Sequence, residues 1–152
     1  MALKRLLFEF KAKSASFRVA DTEPPLEEVT VVGKGRFKGK ALTSLSTTRV
    51  TPTERSRDIE EGAGILYLQG NGRAAYKLSG SVGETRKWRE LAMGTMTFGD
   101  DCVGSLRDLR NLRASYVTQV NSKGESHTKV WEERPPTARG PPSGQSRRAR
   151  AP

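Results

Sequence analysis

With 152 residues, the chain is long enough for one domain, but hydrophobic residues make up only 34% of it, which is low for a globular protein. The formal net charge is +10, and the single cysteine, Cys102, excludes an intrachain disulfide. Glu9 and Lys11 interrupt the first apolar run, and no run approaches the length of a membrane-spanning helix, so we expect a soluble cytoplasmic protein.

The first segment alternates between apolar and mostly charged residues. One face carries the side chains of Leu6, Phe8, Phe10 and Ala12. This period of two is typical of a half-buried β-strand. Pro24-Pro25 then marks a loop after the first strand or two.

The stretch from Glu28 to Ala41, EVTVVGKGRFKGKA, has the pattern of a strand that runs into a glycine-rich loop. A dinucleotide-binding loop needs a helix directly after it, whose amides bind the pyrophosphate. The residues from Lys40 onward, KALTSLSTTRVTPT, have no helical period. A P-loop fails because Lys34 and Ala41 stand where that motif needs Gly and Ser or Thr. We therefore predict a turn or a bulged strand entry.

Three further strands are predicted by alternation. The first has Phe37, Gly39, Ala41, Thr43 and Leu45 on one face, with Leu42 as an exception. Gly70-Asn71-Gly72 predicts a hairpin turn, and the strand after it has Ala74, Tyr76, Leu78, Gly80 and Val82 on one face. The third has Trp88, Ala92, Gly94, Met96 and Phe98 on one face, with Glu90 among them.

The segment SLRDLRNLR breaks the alternation, because Leu106, Leu109 and Leu112 are three residues apart. It predicts a short helix that covers one end of the sheet, with Ser105 as its cap. A last hairpin is predicted with its loop at residues 121–124, after a strand that has Ala114, Tyr116, Thr118 and Val120 on one face.

These segments predict an all-β fold, a single antiparallel closed β-barrel of seven or eight strands with one short helical segment. The connections are too short for helical crossovers, and an open sheet of this size would leave bare edges. The barrel domain is predicted over residues 1–133. Residues 134–152 have five arginines, no acidic residue and no large apolar side chain, which predicts a disordered basic tail.

The sequence contains no recognisable catalytic constellation, so whether the protein is an enzyme stays open. His127 is the only histidine and Cys102 the only thiol, so we predict no metal site and no cofactor. Glu90 has two interpretations. It is either a carboxylate at the barrel mouth with a raised pKa, or a bulge turns it to solvent. All three tyrosines are predicted to lie mostly in the core.

Four basic residues, Lys34, Arg36, Lys38 and Lys40, are predicted to line one face of one strand. Such a stripe can follow a phosphate backbone, and the basic tail can add to it or contact anionic lipid through charge alone. The other interpretation is a solvated outer wall and a tail without a partner, because the aromatic residues needed for base stacking share the apolar face instead.

The second half of the chain combines glycine hairpins with a regular set of strand-end residues. These are Gly64-Ile65-Leu66 through Gly70-Asn71-Gly72, then Leu106, Leu109 and Asn111, and finally Gly124 through Lys129-Val130-Trp131-Glu132. This pattern resembles a set of small bacterial and archaeal proteins of uncharacterised function, although Arg110 displaces the Leu-Asn element. Such barrels are similar to the allene oxide cyclase-like, calycin-type barrel. The resemblance covers about residues 30–133 and implies a closed antiparallel barrel, without catalytic residues to carry over.

Three functions follow as hypotheses. The first is binding of a small apolar ligand in the barrel mouth without strong catalysis, by Tyr76, Trp88, Glu90 and Tyr116. The second is a nucleic-acid-associated basic barrel. The third is a structural homo-oligomer in which strands of neighbouring chains meet edge to edge.

Overall fold

The computed structural model describes residues 5–133, which form nine β-strands and one short 3-10 helix. The strands are β1 (Arg5–Ala12), β2 (Ala15–Thr22), β3 (Pro25–Phe37), β4 (Lys40–Thr51), β5 (Asp58–Leu68), β6 (Gly72–Gly83), β7 (Glu90–Val103), β8 (Arg113–Val120) and β9 (Ser126–Glu132). The 3-10 helix, Gly104–Leu109, lies between β7 and β8. The predicted all-β fold is confirmed, whereas the predicted tail, 134–152, lies outside the described residues.

Eight of the strands close into an antiparallel barrel. From β3 to β9 each strand pairs with the next along the chain, and β1 closes the barrel by pairing with both β9 and β3. The ninth strand, β2, pairs with residues 25–31 of β3, next to the part of β3 that pairs with β1. Since β2 pairs with no other described strand, its second edge is unpaired within residues 5–133.

The glycine-rich stretch contains a turn between two strands, as predicted, but the turn follows Phe37, and Gly33 and Gly35 lie within β3. Gly35 lies in β3 where β1 crosses closely, because a Cβ there would overlap the backbone carbonyl of Glu9. The turn itself is Lys38-Gly39, and both residues have a positive φ. No helix follows it, since β4 begins at Lys40.

This turn also corrects the predicted strand from Phe37 to Leu45. The sequence pattern treats these residues as one strand, but the turn reverses which positions face inward. Leu42 and Ser44 are therefore buried, whereas Leu45 is 42% exposed. The predicted face with Ala41, Thr43 and Leu45 is the outer one.

The 3-10 helix packs against one end of the barrel, as predicted. Leu106 and Leu109 are buried there with Leu42, Leu68 and Phe98. The predicted Ser105 cap is wrong, because the helix begins one residue earlier, at Gly104, which continues directly from β7. Within residues 5–133 no helix has the length and apolar character needed to cross a membrane.

Packing is uneven along the barrel axis. The helix end is filled with large side chains, including Phe8, Leu66 and Met96, which are almost fully buried. At the other end several inward residues, among them Val50, Val82 and Val120, are only half-buried. The barrel is therefore solid at the helix end and hollow at the opposite end.

Candidate functional site

The hollow end encloses a cavity of about 680 Å³ that opens to solvent. Its walls combine apolar side chains with hydroxyl side chains. The apolar ones include Val29, Val31, Val50, Leu78 and Val82, and the hydroxyl ones include Ser46, Thr48, Thr118 and Thr128. Its most buried lining side chains, which form the floor, include Glu60, Tyr76, Met96 and Tyr116. This volume is within the range of about 300–1,000 Å³ typical of small-molecule sites.

A carboxylate–tyrosine pair, Glu60 and Tyr116, crosses the floor of the cavity. The hydroxyl of Tyr116 on β8 donates a hydrogen bond of 2.5 Å to Oε2 of Glu60 on β5. Two strands separate them, and the inward positions in the same row are Gly80 and Gly94. A Cβ on Gly80 would lie 2.6 Å from the Tyr116 hydroxyl, so a glycine there leaves the room that the hydroxyl needs.

Tyr76 is held by a similar crossing over a neighbouring strand. Its hydroxyl lies 2.9 Å from Oγ of Ser44 on β4, and the ring passes over Gly64 on β5, where a Cβ would overlap it. The two tyrosines are thus fixed by buried polar partners rather than left to rotate. Because both side chains are held in place, they provide a preformed floor for the cavity.

Burial dominates the protonation behaviour of the pair. It raises the pKa of Glu60, and the charge of Glu90 adds to this, while the Tyr116 hydrogen bond and the charge of Arg57 oppose it. Burial also raises the pKa of Tyr116, as does the charge of Glu60 beside it. Tyr116 therefore stays protonated and acts as a hydrogen-bond donor to the carboxylate.

Glu90 faces the cavity, and the bulge that would have turned it to solvent does not occur. Pairing between β7 and β8 is regular from Glu90 to Thr97, and the irregularity between β6 and β7 lies at the other end of β7. Burial raises the pKa of Glu90, Arg89 opposes this, and the charges of Glu27 and Glu84 add to it. Glu90 is thus a half-buried carboxylate at the cavity mouth.

Of the four residues predicted to bind a ligand, three line the cavity: Tyr76, Glu90 and Tyr116. Trp88 lies before β7, where its backbone N–H donates to Oγ1 of Thr85 at 2.9 Å. It lines a cleft on the outside of the barrel with Lys11 and Lys34 and is not among the residues that line the cavity.

His127 is also on the outer wall, where its Nε2 lies 2.6 Å from Oε1 of Glu9 on the neighbouring strand β1. Among residues 5–133, no three or more His, Cys, Asp or Glu side chains are grouped so as to hold a metal ion.

The basic stripe is exposed but does not lie on one strand. Lys34 and Arg36 are on β3, Lys38 is in the turn and Lys40 begins β4. Lys34 donates to Oγ1 of Thr43 at 3.3 Å, and Arg36 to the carbonyl of Gly39 at 2.8 Å. The single-strand prediction is wrong because the hairpin turn lies inside the stripe.

The prediction that Tyr67 is core is also wrong. Tyr67 is 43% exposed, because Leu66 and Leu68 on either side of it occupy the inward positions of β5. On the outer face its register partners are Thr43 and Arg73. An aromatic ring therefore lies on the basic outer surface that begins at Lys34.

The sequence interpretation missed Glu60. The signal was present in β5, since residues separated by two from Leu68 back to Glu60 all face inward. Gly62 and Gly64 lie between Glu60 and the leucines, so the alternation of apolar residues is interrupted before Glu60.

The fold and this site together define a small hollow antiparallel β-barrel with a carboxylate–tyrosine floor. No family model, no curated protein and no solved structure matches the chain. The resemblance to the allene oxide cyclase-like barrel therefore stays a prediction, and it is supported by the barrel topology alone.

Proposed function

We propose that this barrel binds a small, mainly apolar molecule in its hollow end, with the polar end of the molecule directed at Glu60 and Tyr116. One observation carries the proposal: a cavity of about 680 Å³ has a wall with a valine-rich apolar part, a preformed polar floor and an opening to solvent. Such a combination of an apolar pocket with few convergent polar groups is characteristic of ligand sites.

The size of the cavity suits a ligand of about ten carbon atoms or more. Burial of a ten-carbon chain contributes about 8 kcal/mol at about 0.8 kcal/mol per methylene. Loss of translational and rotational freedom costs at least about 4 kcal/mol. The net gain from burial of the chain is therefore at most about 4 kcal/mol, which corresponds to a dissociation constant of about 1 mM or weaker before any contribution from the polar floor.

Binding without strong catalysis fits the chemistry of the floor. The raised pKa of Tyr116 makes its hydroxyl a poor base near neutrality. One oxygen of Glu60 is already occupied by that hydroxyl. Cys102, the only thiol, is buried at the helix end and does not line the cavity.

A neutral naphthylamine dye that becomes fluorescent in apolar surroundings tests the proposal. We expect saturable binding of one dye per chain and competition by ten-carbon amphiphiles. Val82→Trp, at a lining position of β6, is expected to weaken dye binding at least about tenfold by filling the mouth. Ser79→Trp, on the outer face of the same strand, is the matched control and should leave binding unchanged. Non-saturable fluorescence, or equal effects of the two substitutions, would refute the proposal.

A second candidate is nucleic-acid binding on the outer surface, and the exposed ring of Tyr67 favours it. Basic residues with an exposed aromatic side chain are the combination that single-stranded nucleic acid requires. Binding should then fall steeply between about 50 and 200 mM salt. It should also weaken in Tyr67→Ala and in the triple variant Lys34→Glu, Arg36→Glu, Lys38→Glu, but not in Arg107→Glu on the 3-10 helix. Binding that is insensitive to salt would exclude this candidate.

A further inference from the structure

We infer that the ligand of this cavity carries a positively charged amine, which enters first and meets the free oxygen of Glu60 at the floor. This inference rests on the proposed function and specifies its ligand class, a cationic amphiphile. It is carried by the placement of carboxyl groups around a cavity whose other lining residues are apolar or carry hydroxyl groups, with a single basic residue.

One carboxylate oxygen of Glu60, Oε1, has no hydrogen-bond donor among the described residues, and Glu60 lines the cavity. The residue is only 7% exposed, Oε2 accepts the hydrogen bond from Tyr116, and Oε1 accepts none from any residue within 5–133. Oε1 is not among the buried oxygens that lack a partner, so it is open to the cavity, where a ligand ammonium group would provide both a donor and the opposite charge. The apolar part of the wall above it then covers the alkyl part of the ligand.

The cavity is acidic although the chain as a whole carries a formal charge of +10. Five carboxyl residues line it, against one basic residue, Arg89. The carboxyl residues are Glu27, Asp58, Glu60, Glu84 and Glu90. Clefts lined by one sign of charge attract the opposite charge and raise its local concentration.

Arg57 is the cation whose charge acts on Glu60, and two of its guanidinium nitrogens, Nε and Nη2, already donate hydrogen bonds elsewhere. Its Nε donates to Oγ of Ser81 at 2.8 Å, and its Nη2 donates to the carbonyls of Ser81 and Leu91 at 3.0 and 2.7 Å. It is not among the lining residues, so it does not provide an anion site in the cavity. A ligand carboxylate would face Glu60 without a compensating cation at the floor.

Three competitors of equal chain length distinguish the ligand classes. Decylamine, decanol and decanoate are titrated at neutral pH against the bound neutral dye. We expect decylamine to displace the dye at least about tenfold more tightly than decanol, because hydrogen bonds to a charged group are the stronger ones, and decanoate to be the weakest.

Two variants with the same charge change locate the effect. Glu60→Gln is expected to remove the advantage of decylamine over decanol, whereas Glu61→Gln, on the outer face of β5, should preserve it. If decanol or decanoate competes as well as decylamine in the unaltered chain, the inference is wrong while the proposed function stands. If the dye does not bind and no competitor acts, the proposed function itself fails. The ranking in the unaltered chain decides the matter even if Glu60→Gln does not fold.

Discussion

Removal of the Tyr116 hydroxyl should destabilise the barrel in a pH-dependent way. Tyr116→Phe keeps the ring, which is buried, and removes only the donor to Glu60. Above the folded-state pKa of Glu60 the hydrogen bond ends on a charged carboxylate, so its loss there should cost about 1.5–3 kcal/mol of unfolding free energy. For a domain of this size that corresponds to a fall in Tm of about 5–15 °C.

The sign of the pH dependence follows from Glu60. Burial raises its pKa above the ordinary value, so in the folded chain the carboxyl group is mostly protonated at about pH 4. The hydrogen bond is then one between neutral groups, and its loss should cost only about 0.5–1.5 kcal/mol. The destabilisation caused by Tyr116→Phe should therefore grow as the pH rises through the folded-state pKa of Glu60.

Urea denaturation followed by circular dichroism at about pH 4 and at neutral pH measures this difference. Two other tyrosines provide controls. Tyr76→Phe loses a neutral partner, Ser44, and should cost about 0.5–1.5 kcal/mol at both pH values, because that bond has no charged group. Tyr67→Phe, on the exposed outer face, should change little. An equal loss at both pH values for Tyr116→Phe would refute the assigned role of Glu60.

Three further outcomes are expected. Glu60→Gln should raise the stability of the protein at neutral pH and lose that advantage at acidic pH. A carboxyl group whose pKa is raised in the folded state destabilises the fold only when it is ionised. Thermal melts between neutral and acidic pH measure this difference. Leu106→Ala should cost about 2–5 kcal/mol in urea denaturation and leave dye binding intact, since Leu106 is buried at the solid end; weakened binding would contradict the separation of the two ends. Edge-to-edge assembly of neighbouring chains is still a prediction, and the strand edge best suited to it is β2, where Phe17 and Val19 are 58% and 71% exposed. Light scattering should then show a multimer that the substitution Val19→Lys dissociates. A monomeric unaltered chain would exclude this assembly.

Alternation predicted most of the barrel because each wall strand has one face to the interior. It placed Tyr76, Gly80, Gly94 and Tyr116 inward, and these are the residues that shape the floor. What it could not predict depends on contacts between distant strands. The hydrogen bond between Glu60 and Tyr116 requires the register of four strands, which no local pattern contains.

Local errors have local causes. Lys38 adopts a positive φ that is uncommon for lysine, so the turn after β3 gave a weak signal and the following residues were assigned to the wrong face. Trp88 continues the apolar rhythm of β7 in the sequence, but the strand begins two residues later, at Glu90. In both places the alternation of apolar and polar residues continues in the sequence across a point where the strand itself begins or ends.

The closure of the barrel by β1 has a kinetic consequence. Arg5 and Glu132 form an ion pair of 2.7 Å across the seam between β1 and β9, although 127 positions separate them in the chain. During synthesis β1 cannot pair with β9 until β9 has left the ribosome. Until then, the edge of β1 that pairs with β9 is exposed. Long-range pairing of this kind slows folding to milliseconds or longer. The nascent chain is thus most exposed to misassembly before its last strand arrives, and chaperone demand should be concentrated in that interval.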